Sequence, residues 1–423
     1  MSEHSTPVTV LSGTLGAGKT TVLNHILAES GDRDLAVLVN DMGEVNVDAD
    51  LVAESSDISE DEEELIELSN GCICCELRGD LLDAIAELTH ERAFDAVVVE
   101  STGVAEPLPV AQTLTLGFDQ SDLDPTEFYE ETGVEPLEHC HLDTTVTVVD
   151  AHQFHRAMES EEILDDDGTK KHLGDLLIEQ VEFCDVLVLN KCDLVDEETR
   201  SEIEETLAAL QPRAEIVRTT HGRIDPEEIL ETGRFDFEEA RQSAGWMQEL
   251  QAEHQSAEEE HGVTSFVFEA RGPLHPERFA DFLDSLPETV VRSKGHFWLA
   301  GREDEALTFN VAGQSIRVGP GGKWLATLPP EERAAQLEAH PQLAEAWDEE
   351  WGDRNVLFVL IGVEMDQESL RADLEDCLLT ESEFDEDWTG YEDRFPTFEY
   401  EPQEPEEAPD ADPDAQEEVG LAD

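Results

Sequence analysis

The sequence predicts an α/β fold in which a mostly parallel, helix-covered sheet is followed by a smaller α+β domain and a disordered acidic tail. Three observations carry this. Apolar strand runs alternate with helical patterns through the first half of the 423 residues, the mark of parallel strands joined by helical crossovers. The octapeptide Gly13-Thr-Leu-Gly16-Ala-Gly18-Lys19-Thr20 stands between a β run and a helical pattern, the setting in which a glycine-rich loop cradles phosphates. A second set of strand patterns opens at Thr264, after a long polar stretch.

The elements follow in order. A strand over Val8–Ser12 leads into the glycine loop, and a helix runs from about Lys19 to Glu29. Strands are expected at Leu35–Val39, Ala96–Glu100, Thr145–Val149 and Val186–Leu189, with leucines and alanines at helical spacing between Leu77 and Arg92. Right-handed crossovers put the loops after these strands on one edge. Two acidic insertions, 119–138 and 159–167, read as solvated loops. The expected first domain spans 7–236, a polar helical linker 237–262, and the second domain 263–395. That second domain has strand patterns at Thr264–Ala270, Val290–Trp298, Leu307–Phe309, Ser315–Arg317 and Asn355–Ile361, then a helix near Gln367–Cys377. In 396–423 Pro, Glu and Asp dominate and little apolar material remains to build a core, so disorder is expected.

The glycine loop specifies chemistry. Gly13, Gly16, Ala17, Gly18, Lys19, Thr20 and Thr21 are the candidate phosphate contacts. Backbone N–H groups and the helix N-terminus face the anion, Lys19 reaches the β and γ oxygens, and the Thr20 hydroxyl ligates Mg2+. Asn190-Lys191-Cys192-Asp193 follows an apolar strand and is a guanine-type signature: the Asp193 carboxylate accepts hydrogen bonds from guanine N1–H and its amino group. Adenine lacks that donor pair, so GTP is the expected nucleotide. The strand-end run Glu100-Ser-Thr-Gly103 offers a carboxylate to orient the Mg2+ shell or the attacking water, and an N–H to sense the γ-phosphate. Lys19, Thr20 and Glu100 are thus the candidate catalytic residues.

Between these motifs lies Gly71-Cys72-Ile73-Cys74-Cys75, three thiols within four positions. Such a set suits zinc, cobalt or cuprous copper rather than Mg2+ or Ca2+, and zinc is the default because it takes sulfur and nitrogen ligands without redox change. Three protein ligands leave a fourth position open for handover to a partner. Asp41, in the strand-end run Asn40-Asp41-Met-Gly43-Glu44, is a further candidate ligand. His139-Cys140-His141 is an auxiliary candidate patch, while Cys184 and Cys192 read as core thiols.

Against 25 basic residues stand 104 acidic ones, a net charge of −79. This excludes partners that need a positive surface, nucleic acid and anionic membranes among them. Self-repulsion of that size calls for molar salt, where the Debye length falls to about 3 Å. The acidity is spread along the whole chain, so it marks a salt-adapted protein rather than a single interaction tail. With neither a signal peptide nor a long apolar run, the expected location is the cytoplasm.

The motif text is similar to that of the CobW-like family of metal-chaperone GTPases, relatives of the nickel chaperones of urease and hydrogenase. It resembles them in Gly13–Leu27, Gly71–Leu81, Glu100–Pro107 and Asn190–Asp193, and in the C-terminal half at Ser265–Phe279, Arg292-Ser-Lys-Gly295 and Trp351-Gly-Asp-Arg354. The resemblance spans roughly residues 7 to 380. It implies slow GTP hydrolysis coupled to delivery of zinc or cobalt to a client metalloprotein, with Cys72, Cys74 and Cys75 as ligands. A homo-oligomer is compatible with it. Two departures stand out: Asp41 and Asn46 occupy positions where the family usually has Glu and Gly, which weakens a ligand role for residue 41. The long histidine-rich run of some members is absent. Two other readings compete, a metal sensor or buffer in which nucleotide only stabilises the fold, and a nickel-inserting GTPase; the Cys-x-Cys-Cys motif and second domain disfavour the latter.

Overall fold

The computed structural model describes residues 5–31, 33–39, 64–67, 81, 84–85, 88, 94–101, 103, 107–116, 139–160, 163–166, 169–240, 263–340, 343–344 and 346–398. Cys72, Cys74, Cys75 and Asp41 lie outside these residues, as does the expected tail from 399 onward.

Seven strands form the first sheet: β1 (Thr6–Ser12), β2 (Leu35–Val39), β3 (Glu64–Glu67), β4 (Ala96–Glu100), β5 (Cys140–Asp150), β8 (Val186–Asn190) and β9 (Glu215–Arg218). Their order is β3-β2-β4-β1-β5-β8-β9, and each pairing is parallel. Parallel strands need crossovers, and the crossovers cover both faces, so the strands read as continuous apolar runs. The period of two is still visible in where each residue packs. Leu35, Val37 and Val39 join one core with α1 (Lys19–Glu29), whereas Ala36 and Leu38 point into the opposite core. Ala96 and Val98 against Val97 and Val99 repeat the division in β4. Leu81, Ala84, Ile85 and Leu88, spaced as one helical stripe, sit in that second core with α2 (Pro107–Leu116). Behind β5 and β8, α3 (Ala151–Met158), α4 (Leu173–Val181) and α5 (Glu197–Leu210) enclose a third core.

Part of the insertion expected as a solvated loop is instead a hairpin, β6 (Ile163–Asp166) with β7 (Thr169–His172). Asp167-Gly168 between the two runs is a strong hairpin signal that the acidic composition obscures. Of the expected linker helix, only α6 (Phe237–Ala240) falls among the described residues.

The second domain is an antiparallel sheet, β10 (Val263–Ala270), β14 (Val356–Val363), β11 (Val290–Phe297), β12 (Glu305–Ala312) and β13 (Ser315–Lys323) in that spatial order. α7 (Pro276–Asp284) and α9 (Gln367–Cys377) contact each other, while α8 (Pro330–Ala339) lies apart with no buried residue. Phe279 of α7 is the hub of an aromatic core, with ring centroids 4.9 Å from Phe297, 5.6 Å from Phe358 and 5.8 Å from Phe395. Phe398 packs against the same core, three residues past the expected domain limit at 395.

A clasp holds the closing segment to α7. Arg278 grips both carboxylate oxygens of Glu383 at 2.8 and 2.9 Å, and this hydrogen bonding holds the Glu383 carboxyl down from its usual 4.5 to about 2. A depressed acid contributes stability that is complete above its unfolded value and lost as pH falls through the folded one. Glu383→Gln should therefore be less stable than the parent by about 1 kcal/mol at neutral pH. That difference should shrink between about pH 4.5 and 2, which parallel denaturant melts across that range would measure.

Candidate nucleotide site

The loops after β1, β4, β8 and β9 meet at one edge of the parallel sheet, where the strand order reverses around β1. Ligands bind at such a switch point because the strand ends and helix N-termini converge there.

Gly13–Gly18 joins β1 to α1. Gly18 caps α1 in the left-handed region, φ 105°, and a Cβ there would strike the Asn190 amide. Only glycine accepts both constraints. The Lys19 side chain, 7% exposed, folds back across the loop and donates to the Gly13 carbonyl at 2.9 Å and the Thr14 carbonyl at 3.5 Å. Thr20 on the first helical turn donates to Glu100 Oε1 at 3.2 Å, and Glu100 is buried at the end of β4. A hydroxyl and a carboxylate this close are a hard oxygen donor pair, which fits Mg2+ and its preference for oxygen and a few protein ligands. Thr21 is exposed beside Thr20, and Ala17 is buried.

Asn190 and Lys191 brace this loop. Asn190 Nδ2 donates to the Ala17 carbonyl at 2.9 Å, while its Oδ1 accepts from Gly222 N at 3.1 Å. One side chain thus ties the phosphate loop to the loop after β9. Lys191 reaches the Gly16 carbonyl at 2.7 Å and pairs with Asp150 at 2.7 Å. Asp193 stands exposed in the short turn Cys192–Leu194, next to that junction. Gly103, after β4, presses on the loop: a Cβ there would lie 2.6 Å from Leu15 N. Leu15 itself is 80% exposed at the mouth.

Two members of this arrangement were missed by motif reading. Asp150 caps α3, accepting from His152 N at 2.9 Å and Gln153 N at 3.1 Å, and its other oxygen holds Lys191. Gln153 accepts from Thr14 Oγ1 at 2.6 Å. An aspartate between a strand and a helix is a legible cap signal, and it places Asp150.

The auxiliary patch divides. Strand alternation buries Cys140, whose thiol burial pushes up to about 12, while His141 stays exposed and meets Ser5 Oγ at 3.0 Å. Among the described residues, no three metal-ligating side chains converge. Cys184 is buried and Cys192 half-buried, and burial raises both thiols. Among the same residues, no helix is long and apolar enough to cross a membrane.

Comparison with known proteins agrees with this architecture. The family described as CobW/HypB/UreG, nucleotide-binding domain, matches residues 7–218, and the cobalamin synthesis protein cobW C-terminal domain matches residues 263–378. The zinc-regulated GTPase metalloprotein activator 1 of Dictyostelium discoideum is 39% identical over 395 residues, covering 89% of this chain and 80% of that protein. The zinc chaperone YjiA of Escherichia coli is 28% identical over 86% of this chain and 96% of its own length. A crystal structure of the Zn(II)-bound YjiA GTPase from E. coli aligns with a TM-score of 0.36 at 22% identity, over 89% of this chain and 99% of that one. The chain belongs to the CobW/HypB/UreG family and carries the CobW C-terminal domain.

Proposed function

We propose that this protein is a GTP-hydrolysing metallochaperone that holds zinc, or cobalt, at Cys72, Cys74 and Cys75 and passes it to a client metalloprotein. The observation that carries the reading is the junction of Lys19, the Thr20–Glu100 pair and the Asn190 staple at one sheet edge. β3 runs parallel to β2, so its last residue, Glu67, lies on that same edge, and Cys72 follows five residues later. The similarity to proteins named zinc chaperone and zinc-regulated GTPase supports the cargo.

In this reading Lys19 exchanges its two loop carbonyls for β and γ oxygens, and the N–H groups at the start of α1 complete the cradle. Thr20 and Glu100 would hold Mg2+, which neutralises charge on the transferred phosphoryl group. Glu100 orients that Mg2+ shell or the attacking water, Gly103 N–H meets the γ-phosphate, and Asp193 reads guanine. Asp41 is a candidate for the open zinc position. The units are taken as 7–236 for GTP, 237–262 as connection, the C-terminal domain from 263, expected to 395 and packed as far as Phe398, and the remainder as a tail. Buried thiols at Cys140, Cys184 and Cys377 fit the reducing cytoplasm.

Cobalt substitution tests the metal half of this reading. Titrating Co2+ into the reduced protein in molar potassium chloride should give intense thiolate charge-transfer absorption in the near ultraviolet, lost in the Cys72→Ser, Cys74→Ser, Cys75→Ser variant. A spectrum that survives the triple substitution contradicts the assignment and moves attention to His139, Cys140 and His141.

A further inference from the structure

Among the described residues, α4 connects the nucleotide edge to the C-terminal sheet through buried polar contacts, beside the apolar packing of α5 on β14. Gln180, in the last turn of α4, is completely buried, yet it is an amide. Burying an amide is costly unless it is hydrogen-bonded, and its Nε2 donates to the Gly103 carbonyl at 3.3 Å. Gly103 is the residue of the β4 turn that touches the phosphate loop at Leu15. The backbone carbonyl of Gln180 accepts from Thr147 Oγ1 at 2.9 Å, which fixes this end of the helix on β5.

Both ends of α4 are also fastened to the other domain. At its C-terminus Glu182, buried, takes Arg292 of β11 at 2.6 and 2.9 Å, and Lys294 Nζ stands 3.6 Å away. At its N-terminus Asp175, 1% exposed, accepts from Asn310 of β12 at 2.9 Å and Ser315 of β13 at 3.2 Å, and pairs with Arg317 at 2.9 Å. Gly174 lies against the Ala312 carbonyl, where a Cβ would come within 3.2 Å. A shift of this helix must therefore carry β11, β12 and β13 along or break buried charge pairs.

We propose that α4 transmits the nucleotide state from the Gly103 turn to the C-terminal sheet, with Gln180 as the positioning residue that engages the turn. This rests on the GTP reading above. A GTP-dependent shift of Gly103 pulls or releases the Gln180 amide, and the Glu182–Arg292 and Asp175 contacts convert that movement into a displacement of the sheet. The C-terminal sheet then differs between GTP and GDP states.

Hydrogen exchange and tryptophan emission of the full chain in molar potassium chloride test this. All six tryptophans lie at position 246 or beyond, so emission reports on the C-terminal side. With wild type, a non-hydrolysable GTP analogue and GDP should give different exchange in 290–297 and 305–323 and different emission. Gln180→Met, which keeps volume but loses the amide, should still bind the analogue and lose that difference. Glu182→Gln, which keeps shape and weakens the far end, should bind the analogue with the difference reduced, and it serves if Gln180→Met does not fold. A wild type that binds no analogue overturns the nucleotide reading itself. Analogue binding with no exchange difference in the sheet, or a difference that persists in both variants, overturns the α4 proposal alone.

Discussion

GTP hydrolysis by Lys19→Ala protein should fall by at least about 10²- to 10³-fold in kcat, the cost of removing one preorganised charge-stabilising donor from a phosphoryl-transfer site. The side chain is buried in the loop, so the ammonium is desolvated and held within it, beside the Gly13 carbonyl. Truncation leaves the Gly13 and Thr14 carbonyls without this donor, which loosens the loop locally but spares the cores on either side of the sheet. Circular dichroism should thus match the parent while phosphate release disappears. A variant that hydrolyses GTP at nearly the parent rate would remove Lys19 from the mechanism.

Arg292→Ala is expected to produce the largest loss of stability among single substitutions at the junction of the two domains, about 3–5 kcal/mol, because it strands the Glu182 carboxylate in a buried site. Arg292 is 1% exposed, and besides Glu182 it donates to Asn310 Oδ1 at 2.9 Å and the Val311 carbonyl at 3.2 Å. Replacing both partners with apolar residues, Glu182→Leu with Arg292→Met, should recover much of the loss, since no uncompensated charge remains. Denaturant melts of the three proteins in molar salt measure this. Equal stability of Arg292→Ala and the parent would mean that water reaches the pair and the junction is open.

How much was legible follows the range of the forces involved. The helix at Gln367–Cys377 and the strands Leu35–Val39 and Ala96–Glu100 coincide with their sequence patterns, because local periodicity and flanking turns mark them. β9, Glu215–Arg218, escaped the reading: it is an edge strand without a buried residue, so it lacks the apolar run that signals a central strand. α5 was hidden by its acids, although Asp196 caps it and Ile203, Leu207 and Leu210 form a stripe. Lys19, Thr20, Glu100 and Asn190 were named from local spacing, and the fold brings them to one edge. Contacts such as Glu182 with Arg292, 110 residues apart, have no local signature; the Arg292-Ser-Lys-Gly295 text hinted at importance but not at a partner.

The central claim is that nucleotide state and metal affinity are linked in one chain. Linkage is reciprocal: if GTP changes zinc affinity by some factor, zinc changes GTP affinity by the same factor. The direct measurement is a zinc competition titration against a chromophoric chelator in molar potassium chloride, run with a non-hydrolysable GTP analogue, with GDP and without nucleotide. The account predicts that zinc affinity differs between the analogue and GDP states by about 5- to 150-fold, the usual size of such couplings. Identical zinc affinities in all three conditions would contradict it, leaving a zinc site and a GTPase that merely share a chain.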